Sequence, residues 1–250
     1  MQIEFTGRTV VVTGAARGIG AAIAQGFAER GARVFACDMA ADALAALGGG
    51  IEGRVVDVAD EAAMSAFVRE AEAATGHVDV LVHVAGGVRG KRQMPIEQVS
   101  SRDWLDIYDA NVMGAFNAAR AVVPGMKRAG GGRIVVIASR AGMGVSLTGI
   151  QSYASAKAAQ LGLVRQLAHE LGPSNITVNA VAPGFMPTSP DYERQWQGYG
   201  EAGQKALVER TPMRRLGRPE EIAYAVMFLA SPYAGFVNGQ VLPVTGGPQG

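Results

Sequence analysis

The sequence predicts an α/β fold: one doubly wound parallel sheet of about seven strands with helices on both faces. Three observations carry that expectation. Short β-branched runs alternate with longer alanine-rich stretches of helical spacing, the order a parallel sheet covered on both faces requires. Gly31, Gly76 and Gly172 each stand just past a helical stretch, where a left-handed C-terminal cap is cheapest for glycine. The chain of 250 residues shows no internal repeat, low-complexity tail or dividing linker, so a single domain spanning 1–250 is expected.

Taken in order, the first strand is read at Arg8–Thr13 and the helix after it near Gly18–Arg30. A strand at Ala32–Cys37 precedes a helix near Ala40–Leu47, and a strand at Gly53–Asp57 precedes one near Glu61–Thr75. Strand Val78–Val84 leads to a long helical pattern near Ser101–Ala129, and Gly132–Ser139 leads to one near Ser152–Leu171. Asn175–Ala182 is the sixth strand, Glu220–Ala230 the last helix and Gln240–Val244 the last strand. Between Phe185 and Pro219 the pattern weakens around Pro187, Pro190, Trp196, Tyr199 and Pro212. A substrate loop or lid at about 185–218 is the expected use of such an insertion.

Composition narrows the function. Lys and Arg number 23 against 22 Asp and Glu, so no broad basic field exists to draw nucleic acid or anionic lipid. A small-molecule partner is expected. Cys37 is the only cysteine, which excludes an internal disulfide and a cysteine-based zinc site, and a reducing cytoplasm is the expected compartment. No metal site is expected. The apolar run Val10–Val12 is far too short for a signal segment or a membrane span.

The first strand runs directly into Thr13-Gly14-Ala15-Ala16-Arg17-Gly18-Ile19-Gly20. Glycines so placed allow a tight turn, let the backbone approach a pyrophosphate and let the helix pack close to the sheet, while the helix N-terminus offers free N–H groups to the phosphates. This is a Rossmann-type arrangement. Asp38 answers it 18 residues beyond Gly20, where a carboxylate accepts from the adenosine ribose hydroxyls and repels a 2′-phosphate. NAD is therefore expected over NADP, although Arg17 in the turn offers a guanidinium that a phosphate can use.

The spacing Gly-x-x-x-Gly-x-Gly after Thr13 resembles the fingerprint of the short-chain dehydrogenase/reductase family, and the resemblance runs over essentially the whole chain. It implies that Asp57 and Val58 contact adenine, and that Ala85-Gly86 passes close to the cofactor. It also marks a departure: His83-Val84-Ala85-Gly86 stands where the family has Asn-Asn-Ala-Gly. His83 is expected to be a hydrogen-bonded structural residue.

Tyr153 and Lys157 lie four residues apart at the start of a helical stretch, hence on one helix face. An ammonium beside a phenol lowers its pKa toward the working range, and the phenol can then exchange a proton with a substrate oxygen. Ser139 ends an apolar strand, where side chains open into the ligand crevice, and its hydroxyl can hold the same oxygen. Asn111 is a short amide inside a long helical pattern. By resemblance it bends the helix and holds a water linking the lysine to solvent. Asn111, Ser139, Tyr153 and Lys157 follow the family's order.

By the same resemblance Pro183-Gly184 lies along the nicotinamide, Thr188 reaches the carboxamide or a phosphate, and the last strand helps join a homotetramer. Tyr153 and Lys157 also count among the cofactor contacts. Substrate contacts are expected from Arg140–Ser146, Gln151, Phe185, Met186, Trp196 and Tyr199, with Arg89, Lys91 and Arg92 able to attract an anion. The expected activity is hydride transfer between NAD(H) and a small ketone or secondary alcohol. Relatives that reduce 3-oxoacyl groups on a carrier protein with NADPH offer a second reading. They tend to carry a basic residue before the sixth strand, where this chain has Gly172-Pro173-Ser174-Asn175. A third reading is a non-catalytic dinucleotide-binding regulator.

Overall fold

The computed structural model describes residues 3–248. Its centre is a seven-stranded parallel sheet: β1 (Thr9–Thr13), β2 (Arg33–Asp38), β3 (Glu52–Val55), β4 (Val80–His83), β5 (Gly132–Ile137), β6 (Ile176–Pro183) and β7 (Val241–Val244). The spatial order is β3-β2-β1-β4-β5-β6-β7. Strand order reverses between β1 and β4, and the crevice outside the carboxyl ends of strands at such a reversal is where doubly wound sheets bind ligands.

Side chains alternate across each strand and so feed two separate cores. Val11, Phe35, Leu81, Ile134 and Val178 pack on one face against α3 (Glu61–Thr75), α5 (Gly114–Ala129) and α6 (Gln151–Leu171). Val10, Val12, Val34, Val82 and Val135 pack on the other against α1 (Gly18–Ala28) and α9 (Pro219–Ala230). Each fully buried side chain of this size contributes roughly 1.5–3 kcal/mol, so the strands are held from both sides. Cys37 lies inside the first core, fully buried.

Helix starts follow local chemistry. The Asp60 carboxylate accepts from the backbone N–H of Ala62 and Ala63 at 2.9 and 3.0 Å and caps α3. The Ser100 hydroxyl accepts from Asp103 N–H at 3.1 Å and caps α4 (Ser101–Tyr108). A short α2 spans Ala41–Ala45.

Three details correct the sequence reading. The long helix expected over Ser101–Ala129 is α4 and α5 joined by a π turn at Asp109–Met113. The segment read as a loop contains α7 (Pro190–Gly198) and α8 (Gly200–Arg210), neither with a buried residue. Gly31 and Gly76 do take positive φ, but Gly172 is right-handed at φ −51, and the left-handed residue is Asn175 at φ 59. Pro173 lets the chain run on as one 3-10 turn first. Among the described residues no helix is long and apolar enough to cross a membrane.

Candidate active site

A cavity of about 420 Å³ opens at the carboxyl ends of the strands, at the β1/β4 reversal. The glycine turn forms its floor. Gly14 sits at φ +64, and a Cβ there would fall 2.5 Å from the backbone nitrogen of Ala85, so turn and β4 loop meet at a distance only glycine allows. A Cβ on Gly20 would strike the Gly14 carbonyl at 2.0 Å. Such a cradle, with the α1 N-terminus behind it, fits a dinucleotide pyrophosphate.

Of the expected cofactor residues, Gly14, Arg17, Ile19, Gly20, Asp38, Asp57, Val58, Ala85, Gly86, Pro183, Gly184 and Thr188 line the cavity. Gly18 stands outside its wall. Its place is against Thr188, whose carbonyl a Cβ would meet at 2.5 Å. Asp38 is fixed from both sides, accepting from Ala16 N–H at 3.1 Å and from Ala40 N–H at 3.0 Å. Its remaining lone pairs face the cavity, free for hydroxyl donors. Asp57 accepts from Ala59 N–H at 3.0 Å.

Thr13 and His83 are paired across β1 and β4. The Thr13 hydroxyl oxygen accepts from Val84 and Ala85 N–H at 3.2 and 3.3 Å, and it lies 3.0 Å from His83 Nδ1. The Thr13 hydroxyl and His83 Nδ1 thus share one hydrogen bond, while the buried His83 Nε2 makes none among the described residues. Burial, then the Lys157 charge, pushes His83 down to about 3. It is a neutral structural imidazole.

Ser139, Tyr153 and Lys157 line the opposite wall. Tyr153 and Lys157 come from the first turns of α6, one above the other. Ser139 stands two residues past the end of β5 and caps the following turn, its oxygen accepting from Ala141 N–H at 3.1 Å. Its own proton is left to donate. The lysine Nζ is 5.9 Å from the Tyr153 ring centre. It donates to Ile137 O and to Gln160 Oε1, both at 2.9 Å.

The electrostatics differ from the expectation of a phenol made acidic by its neighbour. Burial pushes Tyr153 above its ordinary value, with the Ser139 and Tyr192 hydroxyls acting in the opposite direction. Lys157, buried without a carboxylate, is itself pushed down to about 7. A lysine near neutrality carries only part of a charge.

Asn111 is not in the cavity wall. It lies buried in the π turn, where its amide donates to Ile107 O at 2.8 Å and to Gly87 O at 2.9 Å. Its Oδ1 accepts from Gly87 N–H at 3.0 Å. The side chain thus takes over a carbonyl the helix leaves free and clamps the loop after β4. The Asn111 backbone carbonyl accepts from Gln160 Nε2 at 2.8 Å. The direct link from Asn111 to Lys157 is therefore the Gln160 amide.

Among the expected substrate contacts, Arg140, Ala141, Ser146, Phe185, Met186 and Arg89 reach the cavity. Gln151 does not: its amide donates to Met94 O at 2.9 Å. Trp196 and Tyr199 pack against Phe185 as tilted rings, at 5.9 and 5.7 Å between ring centres. Lys91 is committed to Asp103 and Asp106, and Arg92 is exposed outside the wall. Two residues were missed, Gln160 and Tyr192. Tyr192, on the first turn of α7, packs on the Tyr153 cluster and lines the same cavity. A buried Gln in the middle of a helix was the available signal for the first; nothing local marks the second.

A parallel sheet with a glycine-cradled crevice facing a Ser, Tyr and Lys defines a Rossmann-type oxidoreductase. A family model described as enoyl-(acyl carrier protein) reductase matches residues 14–249. The chain is 39% identical over 247 residues to the (2S)-[(R)-hydroxy(phenyl)methyl]succinyl-CoA dehydrogenase subunit BbsD of Thauera aromatica, covering 96% of each chain. It is 38% identical over 249 residues to the 3-oxoacyl-[acyl-carrier-protein] reductase FabG of Escherichia coli K12, covering 98% of both. A solved 7α-hydroxysteroid dehydrogenase, complexed with NADH and 7-oxo glycochenodeoxycholic acid, superposes at a TM-score of 0.88 with 36% identity over 98% of this chain and 95% of that one. The chain belongs to the short-chain dehydrogenase/reductase family, whose members act on CH–OH groups with a nicotinamide cofactor.

Proposed function

We propose that the protein transfers hydride between NAD(H) and a small-molecule ketone or secondary alcohol, with Tyr153 as general acid and base. One observation carries the assignment: Ser139, Tyr153 and Lys157 share a cavity with the Gly14–Gly20 turn and Asp38. The nicotinamide, when bound, supplies or accepts the hydride. Ser139 donates a hydrogen bond to the substrate oxygen and holds it beside the Tyr153 hydroxyl. In reduction Tyr153 gives its proton to that oxygen; in oxidation the phenolate takes it back. Lys157 donates to the nicotinamide ribose and biases the phenol electrostatically.

Asp38 supports NAD, since a carboxylate fixed by Ala16 and Ala40 N–H cannot swing away from a 2′-phosphate. Arg17, lining the same cavity, and the likeness to FabG keep an NADPH-dependent 3-oxoacyl reductase as the second reading. Residues 185–218 act as the lid, the chain works as a single domain in a homotetramer, and its compartment is the cytoplasm.

The test is a panel of oxo-compounds and alcohols assayed in parallel with NADH, NADPH, NAD and NADP. Turnover with NAD(H) in preference to NADP(H) is the expected result. Cofactor binding without turnover of any compound points instead to a regulator, and full activity of Tyr153→Phe overturns the mechanism.

A further inference from the structure

Beside the reaction cavity lies a second one of about 390 Å³. The two are continuous, since Arg140, Leu147, Gly184, Phe185 and Met186 line both. The far wall comes from the end of α8, the segment after it and the chain beyond β7. Much of the surface between is apolar, with Leu147, Phe185, Met186, Leu207, Leu216 and Val244 facing in.

Four charged residues line this second cavity: Arg140, Arg210, Arg215 and Glu221. Arg215 and Glu221 cancel, meeting through two hydrogen bonds of 2.8 and 2.6 Å. The Glu221 carboxylate is further occupied by Arg218 N–H at 2.8 Å. Arg140 donates to Val145 O at 3.2 Å. Among the described residues neither Arg140 nor Arg210 has a carboxylate within ion-pair distance. The cavity thus holds two uncompensated guanidiniums, Arg140 next to Ser139 and Arg210 on the lid. Guanidinium donors match planar carboxylates and phosphates in pairs of hydrogen bonds.

We infer that the second cavity receives the anionic end of the substrate, which is a ketone or secondary alcohol with an apolar body ending in a carboxylate or phosphate. The inference rests on the first cavity being the reaction site. The reacting oxygen sits at Ser139 and Tyr153, the apolar body lies along Leu147, Phe185 and Met186, and the anion bridges Arg140 and Arg210. Because Arg140 opens the 3-10 turn that follows β5 and Arg210 ends α8, the anion draws the lid onto the core. Arg210 is exposed and Arg140 half-buried, so the attraction is moderate and salt-sensitive.

The probes are keto acids of graded chain length, their methyl esters, and matched keto compounds ending in a phosphate monoester. Beyond a threshold length the acid or the phosphate is expected to exceed the ester in kcat/KM by roughly tenfold, chiefly through KM, the cost of one charge-assisted hydrogen-bonded pair. Which anion leads separates carboxylate from phosphate recognition. The ratio falls as salt rises from about 0.05 to about 0.5 M. It falls toward one in Arg210→Gln and Arg140→Gln, and Arg210→Lys keeps part of it.

Equal use of acid, phosphate and ester at every length overturns the inference while leaving the reaction assignment standing, as does an acid-to-ester ratio unmoved in both Gln variants. If no ketone is turned over, the reaction assignment fails. The subsite is then judged by calorimetric titration of the NADH-loaded protein with keto acid against ester, where equal affinities, or a preference kept in Arg210→Gln, overturn it.

Discussion

The two walls of the reaction cavity are built on opposite principles. On the α6 side Tyr153, Lys157 and Gln160 are all buried, and Lys157 and Gln160 are held at 2.8–2.9 Å to fixed partners. On the lid side α7 and α8 bury no residue, the ion pairs Arg194–Asp191 and Lys205–Glu209 stay within single helices, and α7 is tied to the rest by partly exposed aromatic contacts with Phe185 and by the Asp191–Gly90 hydrogen bond. Buried, fully partnered polar groups are costly to disturb, whereas exposed pairs are worth about 0–1 kcal/mol. In the proposed mechanism the chemistry rests on the firmly held wall, and selection of the substrate falls to the loosely held one.

The largest break in this contrast is Tyr153→Phe, which is expected to lower kcat by roughly 10²–10⁴ while NADH binding, followed by fluorescence, stays nearly intact. Second comes Gly14→Ala. Its Cβ would lie 2.5–2.6 Å from the Ala85 backbone at a positive φ, and a loss of about 1–3 kcal/mol in chemical unfolding is expected, with cofactor affinity falling alongside.

Gln160→Leu sharpens the comparison, because it alters the rigid wall without touching substrate. Lys157 is already down at about 7, and the amide oxygen it donates to favours the charged form. Removing that oxygen lowers the lysine further and leaves the Tyr153 phenolate less supported. The acid limb of alcohol oxidation is expected to move up by about one pH unit. Gln160→Glu moves it down, since a carboxylate holds the ammonium. Loss of stability without either movement would make Gln160 merely a packing residue.

Direction of pH dependence follows from Tyr153 itself, whose phenol is raised by burial. Oxidation, which needs the phenolate, should climb with pH through the alkaline range, while reduction, which needs the protonated phenol, should hold steady from neutrality until the same group ionises. Tyr192→Phe removes one hydroxyl that opposes the rise, so a smaller upward movement of the oxidation limb is expected, under about one unit. The smallest effect belongs to Asp191→Asn. It weakens the strap between the start of α7 and Gly90 N–H, now 3.0 Å long, and a change of only a few-fold in KM is expected from an exposed contact.

The fold was legible because its signals are local. Val10–Val12 announces a buried strand and Gly14–Gly20 a turn into a helix; each strand end lies within about two residues of its expected place, the usual uncertainty of such boundaries. What escaped depends on partners distant in sequence. The π turn at Asp109–Met113 exists because Asn111 reaches Gly87, and no helical periodicity records that. Gln160 and Tyr192 gain their meaning only from Asn111, Lys157 and Tyr153 beside them. In α7 and its C-cap the aromatic stripe Tyr192, Trp196 and Tyr199, spaced i, i+4 and i+7, goes unread because Pro190 at its start reads equally well as a loop signal, and α8 is too polar to mark itself.

Cys37 carries a last consequence. Its thiol lies at the heart of β2, raised far above its ordinary value by burial and by Asp38, and its carbonyl accepts from Ala15 N–H in the nucleotide cradle at 3.2 Å. No alkylating reagent can reach it while β2 stays seated between β1 and β3. The pace at which iodoacetamide labels the folded chain thus becomes a built-in clock for the opening of that half of the sheet, and a dinucleotide resting on the cradle should slow it.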